Sequence, residues 1–154
     1  VANFNGYWEN EEATQAAFTS DGYFRTGDIG YLDEDGYLFI VDRKKDIIIR
    51  GGENISCPEV EAAAYEHDAV AELSVFGIAD DRYGEVPGLV YFTKEGSELS
   101  PDELKSFLQA KLAPFKVPVH FWRVHEPLPR LGTQKIDRVT LRREYNAKVK
   151  ELED

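Results

Sequence analysis

The apolar positions of this chain come in short runs whose period changes along its length. Asn10 precedes Glu11-Glu12-Ala13-Thr14-Gln15-Ala16-Ala17-Phe18, which predicts a short helix. An Asn side chain there caps the first unpaired N–H groups, and two acids in the first turn meet the positive end of the helix dipole. Asp21-Gly22 breaks the pattern. Tyr23-Phe24-Arg25 and Gly30-Tyr31-Leu32 then read as short strands, and the acidic, glycine-ended Asp33-Glu34-Asp35-Gly36 joins the second of them to an apolar run over 37–41 as a hairpin. Asp42-Arg43-Lys44-Lys45-Asp46 follows with no apolar member. Such a segment cannot be core, so a domain junction is placed there, dividing the chain into 1–44 and 45–154.

Beyond the junction Ile47-Ile48-Ile49 predicts a strand that leaves through Gly51-Gly52. Ser56-Cys57-Pro58-Glu59 has capping-box spacing with proline in the first turn, and the helix it opens is expected to reach about His67. Residues 73–78 and 89–92 read as strands. Ser100-Pro101-Asp102-Glu103 is a second capping box, after which Leu104, Phe107, Leu108 and Leu112 fall on one helical face and Pro114 and Pro118 stop the helix. A strand over 119–124 and a terminal helix from near Asp137 complete the pattern. Strands and helices interleave in a compact space, so the fold class is α+β.

Charge narrows the partners. With 29 acids against 18 bases and a formal net charge of -11, the chain carries no bulk potential to capture nucleic acid or an anionic membrane, and an anionic ligand must be held by local groups. The one cysteine, Cys57, excludes an intrachain disulfide and an all-cysteine metal site, and a reducing, cytoplasmic home fits best. No apolar run approaches the roughly 20 residues of a membrane span, and Val1-Ala2-Asn3-Phe4-Asn5 lacks the basic and apolar regions of a signal peptide. There is no methionine, so a fragment or processed product is expected.

Phosphate-loop, dinucleotide, zinc-protease and nucleophile-elbow motifs are absent. His67, His120 and His125 lack ligand spacing, and no metal ligands are assigned. What stands out is a set of charged residues beside glycines. Phe24-Arg25-Thr26-Gly27-Asp28-Ile29-Gly30-Tyr31, residues 36–46, residues 50–61 and Leu128-Pro129-Arg130-Leu131-Gly132-Thr133-Gln134-Lys135-Ile136-Asp137-Arg138 resemble, in order and spacing, successive motifs of the adenylate-forming enzymes, the group of acyl-CoA synthetases and luciferases.

The resemblance implies a small C-terminal lid domain of mixed strands and helices, preceded by the last strands of a large N-terminal AMP-binding domain. That large domain, not contained in the chain, would be its partner, with a carboxylic acid and coenzyme A as substrates. Asp28, a carboxylate beside Gly27, would accept the ribose hydroxyls of ATP or AMP, and Arg43, a rigid fork of donors, would contact the same nucleotide. Lys45 matches the hinge about which the lid turns. Gly51, Gly52 and Glu53 match the segment that lines the passage for the thiol arm of coenzyme A. Lys135 matches the catalytic lysine, whose ammonium would sit between the attacking carboxylate and the α-phosphate. The family pattern has glycine immediately before this lysine, whereas here Gln134 stands there and Gly132 lies two positions earlier. Cys57 reads as a buried or first-turn residue.

The implied reaction joins a carboxylic acid, a fatty acid or another, to coenzyme A through an acyl-adenylate, with Mg2+ accompanying ATP on ligands outside this chain. Alone, the chain is expected to bind nucleotide weakly and turn over nothing. Two alternatives stay open at this point: an adenylating enzyme that loads a carrier protein, and a non-catalytic module that keeps the fold.

Overall fold

A computed structural model describes residues 4–153. Val1 to Asn3, part of the stretch read above for a signal peptide, and Asp154 lie outside the described residues. The chain divides into two compact units, one ending at Lys45 and one beginning at Asp46.

The first unit holds helix α1 (Glu11–Ala17) and the strands β1 (Asp28–Leu32) and β2 (Leu38–Arg43). Asn10 caps α1 as the sequence predicts, its Oδ1 accepting from the Ala13 N–H at 3.0 Å. Residues 23–25 form no strand: after a turn over residues 20–22, across which Thr19 and Tyr23 exchange hydrogen bonds, they make one isolated bridge, Phe24 with Phe18. Those two rings instead pack with Phe4 in an aromatic cluster. β1 and β2 pair antiparallel, with Asp28 opposite Arg43. Asp42 and Arg43, read as part of the charged break, remain in the ladder, and the break narrows to a 3-10 turn over Lys44–Asp46. Leu38, Phe39, Ile40 and Val41 are all exposed, so among the described residues this hairpin buries neither face.

The second unit is built on a long hairpin of β5 (Val70–Asp80) and β6 (Gly84–Thr93). The remaining strands are β3 (Ile47–Arg50), β4 (Glu53–Ser56) and β7 (His120–Val124), and the sheet order is β4-β3-β6-β5 with β7 parallel to β6. Helices α2 (Cys57–Tyr65) and α3 (Pro101–Gln109) cover one face, and α4 (Arg138–Glu153) covers the other. Side chains alternate between the faces. Leu73, Val75, Leu89 and Tyr91 enter the α2 and α3 layer, whereas Phe76, Ile78, Val86 and Val90 enter the α4 layer. Burial on both faces explains why these strands read as nearly continuous apolar runs.

Pro87 lies inside β6, a position that normally costs a ladder bond. β5 occupies one edge of β6 throughout, while the other edge carries β3 at Gly84 and β7 only from Gly88. Pro87 faces the gap between them, its carbonyl accepting from the Val119 N–H at 2.8 Å. No donor is needed there.

The capping boxes differ. Around Ser100 both bonds form, Glu103 N–H to Ser100 Oγ at 3.3 Å and Ser100 N–H to Glu103 Oε2 at 2.8 Å. At Ser56 only the serine half forms, because Glu59 turns instead to the Lys116 ammonium at 2.6 Å, a charged donor that outcompetes a neutral N–H. The helix also stops at Tyr65 rather than His67, whose Nδ1 accepts from the Ala69 N–H and turns the chain into β5. β4, four residues long, has no counterpart in the sequence reading.

A partly buried charge network ties the unit together. Arg138, first residue of α4, donates to Asp46 Oδ1 at 2.8 Å and to both oxygens of Glu61 at 2.8 and 2.9 Å. Glu61 Oε1 also accepts from the Val75 N–H at 2.8 Å. Burial pushes the Glu61 carboxyl above its ordinary value, against the pull of Val75 and Arg138. Among the described residues no helix is long and apolar enough to cross a membrane.

Two outcomes are expected. Because both apolar clusters lie wholly after Lys45, a fragment of residues 46–154 unfolds in one cooperative transition by calorimetry, and residues 4–45 alone show none. Arg138→Ala leaves Glu61 buried without its cation and costs about 3 kcal/mol near pH 7.5 in denaturant titration. Burial already raises this carboxyl, and removing Arg138 takes away a pull that lowers it, so the folded variant takes up the proton at higher pH than the wild type and this deficit shrinks as pH falls toward the ordinary glutamate range.

Candidate functional site

Asp28 opens β1 and Arg43 closes β2, so the ladder register alone sets them side by side. Arg43 Nε donates to Asp28 Oδ1 at 3.0 Å. The Asp28 N–H donates to Thr26 Oγ1 at 3.1 Å and the Lys44 N–H to the Gly27 carbonyl at 2.8 Å, which closes the turn. Next to this pair lies an open pocket of about 360 Å³ lined by Thr26, Gly27, Arg43, Lys44 and Lys45. A carboxylate held by one guanidinium contact keeps lone pairs for a diol, and the guanidinium keeps donors for an oxygen. Lys45 is exposed in the 3-10 turn where the two units divide.

Gly51 and Gly52 form a two-residue turn between Arg50 and Glu53, the register partners that end β3 and begin β4. Both have positive φ, 57° and 93°, as a tight hairpin turn of this hand requires. The Gly51 N–H donates to the Tyr83 carbonyl at 2.8 Å, and a Cβ on Gly51 would stand 3.2 Å from the Tyr83 ring. The guanidinium of Arg50 lies 4.8 Å from the centre of that ring and donates to the Phe115 carbonyl at 2.8 Å. The turn is thus pinned from below, and Glu53 is exposed beside it.

Lys135 sits on a second tight hairpin. The Gln134 N–H donates to the Leu131 carbonyl at 2.9 Å and the Leu131 N–H to the Lys135 carbonyl at 2.8 Å, leaving Gly132, Thr133 and Gln134 as a three-residue loop. In such loops the last residue takes the left-handed conformation. Gln134 does so, with φ 65°. The loop therefore has the backbone that a glycine before the lysine would favour, although the residue is glutamine. Lys135 itself is exposed. Arg130 braces the loop, one nitrogen donating to the Gln134 carbonyl at 2.7 Å and the other to Glu72 Oε1 at 2.6 Å. Glu72 Oε2 accepts from the Leu128 N–H at 2.9 Å.

The structure thus brings Asp28 and Arg43 together in the first unit, and sets Gly51, Gly52, Glu53 and Lys135 on two turns of the second. Glu72 and the bracing role of Arg130 escape a reading of the sequence. The available signal was an acid in an otherwise apolar strand, Val70-Ala71-Glu72-Leu73-Ser74-Val75, since such a residue is rarely buried without a partner. Cys57 is buried at the start of α2. Among the described residues no group of three or more His, Cys, Asp or Glu side chains could hold a metal ion.

The AMP-binding enzyme C-terminal domain family matches residues 59–135, and the chain belongs to this family. It is 46% identical over 133 residues to a 2-succinylbenzoate–CoA ligase of Bacillus velezensis, covering 86% of this chain and 26% of that protein. It is 45% identical over 131 residues to a long-chain-fatty-acid–CoA ligase of Bacillus subtilis, covering 85% and 23%. The solved structure of o-succinylbenzoate CoA synthetase (MenE) from Bacillus subtilis, in complex with the acyl-adenylate intermediate OSB-AMP, is 39% identical, with a TM-score of 0.75 over 89% of this chain and 28% of that one. The α+β lid-domain fold expected from the motifs is the one found. The chain spans about a quarter of the length of these relatives.

Left-handed φ costs a side-chain-bearing residue about 1–2 kcal/mol, partly offset by the greater entropy of an unfolded glycine. Gln134→Gly is therefore expected to raise stability by about 0.5–1 kcal/mol, read as a higher thermal midpoint.

Proposed function

We propose that this chain is the C-terminal part of an ATP-dependent acyl-CoA synthetase, and that it supplies one face of the nucleotide site and the catalytic lysine to a large AMP-binding domain. The observation that carries the reading is Lys135, exposed at the end of a braced hairpin whose backbone matches a glycine-before-lysine loop. The relatives support it, since the named ones are CoA ligases and MenE was solved with an acyl-adenylate. The exposed apolar strands 38–41 suit edge strands that the large domain covers.

In the first half-reaction a carboxylate oxygen attacks the α-phosphorus of ATP, the bond to pyrophosphate breaks, and an acyl-adenylate forms. Two anions must meet. The Lys135 ammonium between them offsets the repulsion and stabilises the transition-state charge, while Asp28 and Arg43 hold the ribose. In the second, the sulfur of coenzyme A attacks the acyl carbon, the bond to AMP breaks, and the thiol proton passes to solvent. A pivot at Lys45 would withdraw Lys135 and present the Gly51-Gly52-Glu53 turn, whose bare backbone lets the thiol arm pass closely. Mg2+ would travel with the triphosphate on ligands outside this chain.

Nearly equal identity to a 2-succinylbenzoate–CoA ligase and to a long-chain-fatty-acid–CoA ligase fits a region that carries the shared chemistry and leaves acyl choice to the large domain. The cytoplasm, where ATP and coenzyme A are at hand and a lone thiol stays reduced, suits this reaction.

The test is made in the full-length enzyme with ATP, coenzyme A and a panel of carboxylic acids. Lys135→Ala is expected to cut acid-dependent pyrophosphate exchange by about 100-fold or more, while thioester formation from supplied acyl-adenylate persists. Lys45→Pro, which fixes φ at the pivot, is expected to spare exchange and block the thioester step. Wild-type behaviour in both variants would reject the assignment.

A further inference from the structure

The Lys135 hairpin is held from a strand more than fifty residues earlier, and a defect in that strand makes the contact. In the pairing of β5 with β6 the register shifts between Val70 and Glu72, which marks a bulge at Ala71. A bulge inserts one residue and reverses which face each later side chain meets. Val70 and Leu73 both enter the α2 and α3 layer, a spacing of three that simple alternation forbids. Glu72 is thereby turned to the opposite face, the face of Leu128 and α4.

There it makes a fork. One carboxylate oxygen takes the Leu128 N–H at 2.9 Å, at the entry to the hairpin, and the other takes Arg130 Nη2 at 2.6 Å. Arg130 Nη1 donates to the Gln134 carbonyl at 2.7 Å, the peptide that leads into Lys135. The Glu72 side chain is 19% exposed and that of Arg130 40%, so the clamp is partly shielded from water. Ladder-like bonds close the rest: the Asp137 N–H meets the Pro129 carbonyl at 2.8 Å and Arg130 bridges Ile136. Gln134 resists the left-handed φ it adopts, and a donor fixed on its carbonyl opposes relaxation of that peptide.

We propose that Glu72 and Arg130 are positioning residues for Lys135: the bulged strand β5 sets Glu72, Glu72 orients Arg130, and Arg130 locks the Gln134 peptide so that the ammonium is presented in one place. The inference rests on the reading of Lys135 as the lysine of the adenylation step. It predicts that the clamp acts on that half-reaction alone, through the lysine, and on turnover instead of substrate binding.

The experiment is a double-mutant cycle in the full-length enzyme, with acid-dependent pyrophosphate exchange measured beside thioester formation from supplied acyl-adenylate. Glu72→Ala is expected to lower kcat for exchange by about 10- to 100-fold, the effect of misplacing a catalytic group by about 1 Å, with KM for ATP and acid unchanged. Thioester formation stays at the wild-type rate, which also reports that the variant folds. Added to Lys135→Ala, Glu72→Ala lowers exchange no further. Arg130→Lys, which keeps the charge but loses the fork, behaves in the same way and serves if Glu72→Ala does not fold. Equal loss in both half-reactions, no loss in exchange, or a loss that multiplies with that of Lys135→Ala overturns the proposal. If Lys135→Ala alone leaves exchange intact, the assignment of the lysine fails first and the positioning role with it.

Discussion

The second unit depends on one constraint, the antiparallel hairpin of β5 and β6 buried on both faces. Once these strands pair, alternation sends Leu73, Val75, Leu89 and Tyr91 to one helical layer and Phe76, Ile78, Val86 and Val90 to the other. β3 and β7 pair with β6, and α2 and α4 pack against β5. Tyr91 shows how closed it is: its ring is fully buried, its hydroxyl donates to the Leu99 carbonyl at 2.8 Å, and burial pushes its pKa up to about 12. The frame is interrupted at two places. The Ala71 bulge aims Glu72 at the Lys135 loop, and the gap on the far edge of β6 accommodates Pro87 beside β7.

Local signals in the sequence proved legible because their partners lie within a few residues. Asn10 and Ser100 cap helices as read, and Asp33 folds its turn by accepting from the Asp35 and Tyr37 N–H groups. What escaped depends on distant partners. Glu59 abandons its capping box for Lys116, 57 residues away, and Glu72 meets Arg130, 58 residues away. β4 is too short to show a period, and the pairing of residues 23–25 stops at one bridge, Phe24 with Phe18, because the residues before Phe18 belong to α1. Gln134 is a mixed case. Its place before the lysine is visible in the sequence, but only the backbone shows that glutamine has taken a glycine's conformation.

The candidate chemistry is split by the same division as the fold. Asp28 and Arg43 are register partners of a two-stranded ladder that leaves its apolar side chains uncovered. Lys135 and the Gly51-Gly52 turn belong to a unit with both its cores complete. Under the proposed pivot, a unit that carries both candidate turns exchanges one for the other as a body, provided its own backbone does not yield. The Arg138 network serves that end, since it joins the first residue of the unit, Asp46, to the start of α4 and to α2.

The central claim is that Lys135 is the lysine this chain brings to the phosphates of ATP. It is tested most directly by treating the full-length enzyme with an acyl-phosphate of ATP, which transfers its acyl group to a lysine beside the triphosphate, and mapping the label by mass spectrometry. The account predicts that, within this chain, the label falls on Lys135 and is lost when excess ATP competes. Label that spares Lys135, or that spreads over the exposed lysines regardless of ATP, would contradict it.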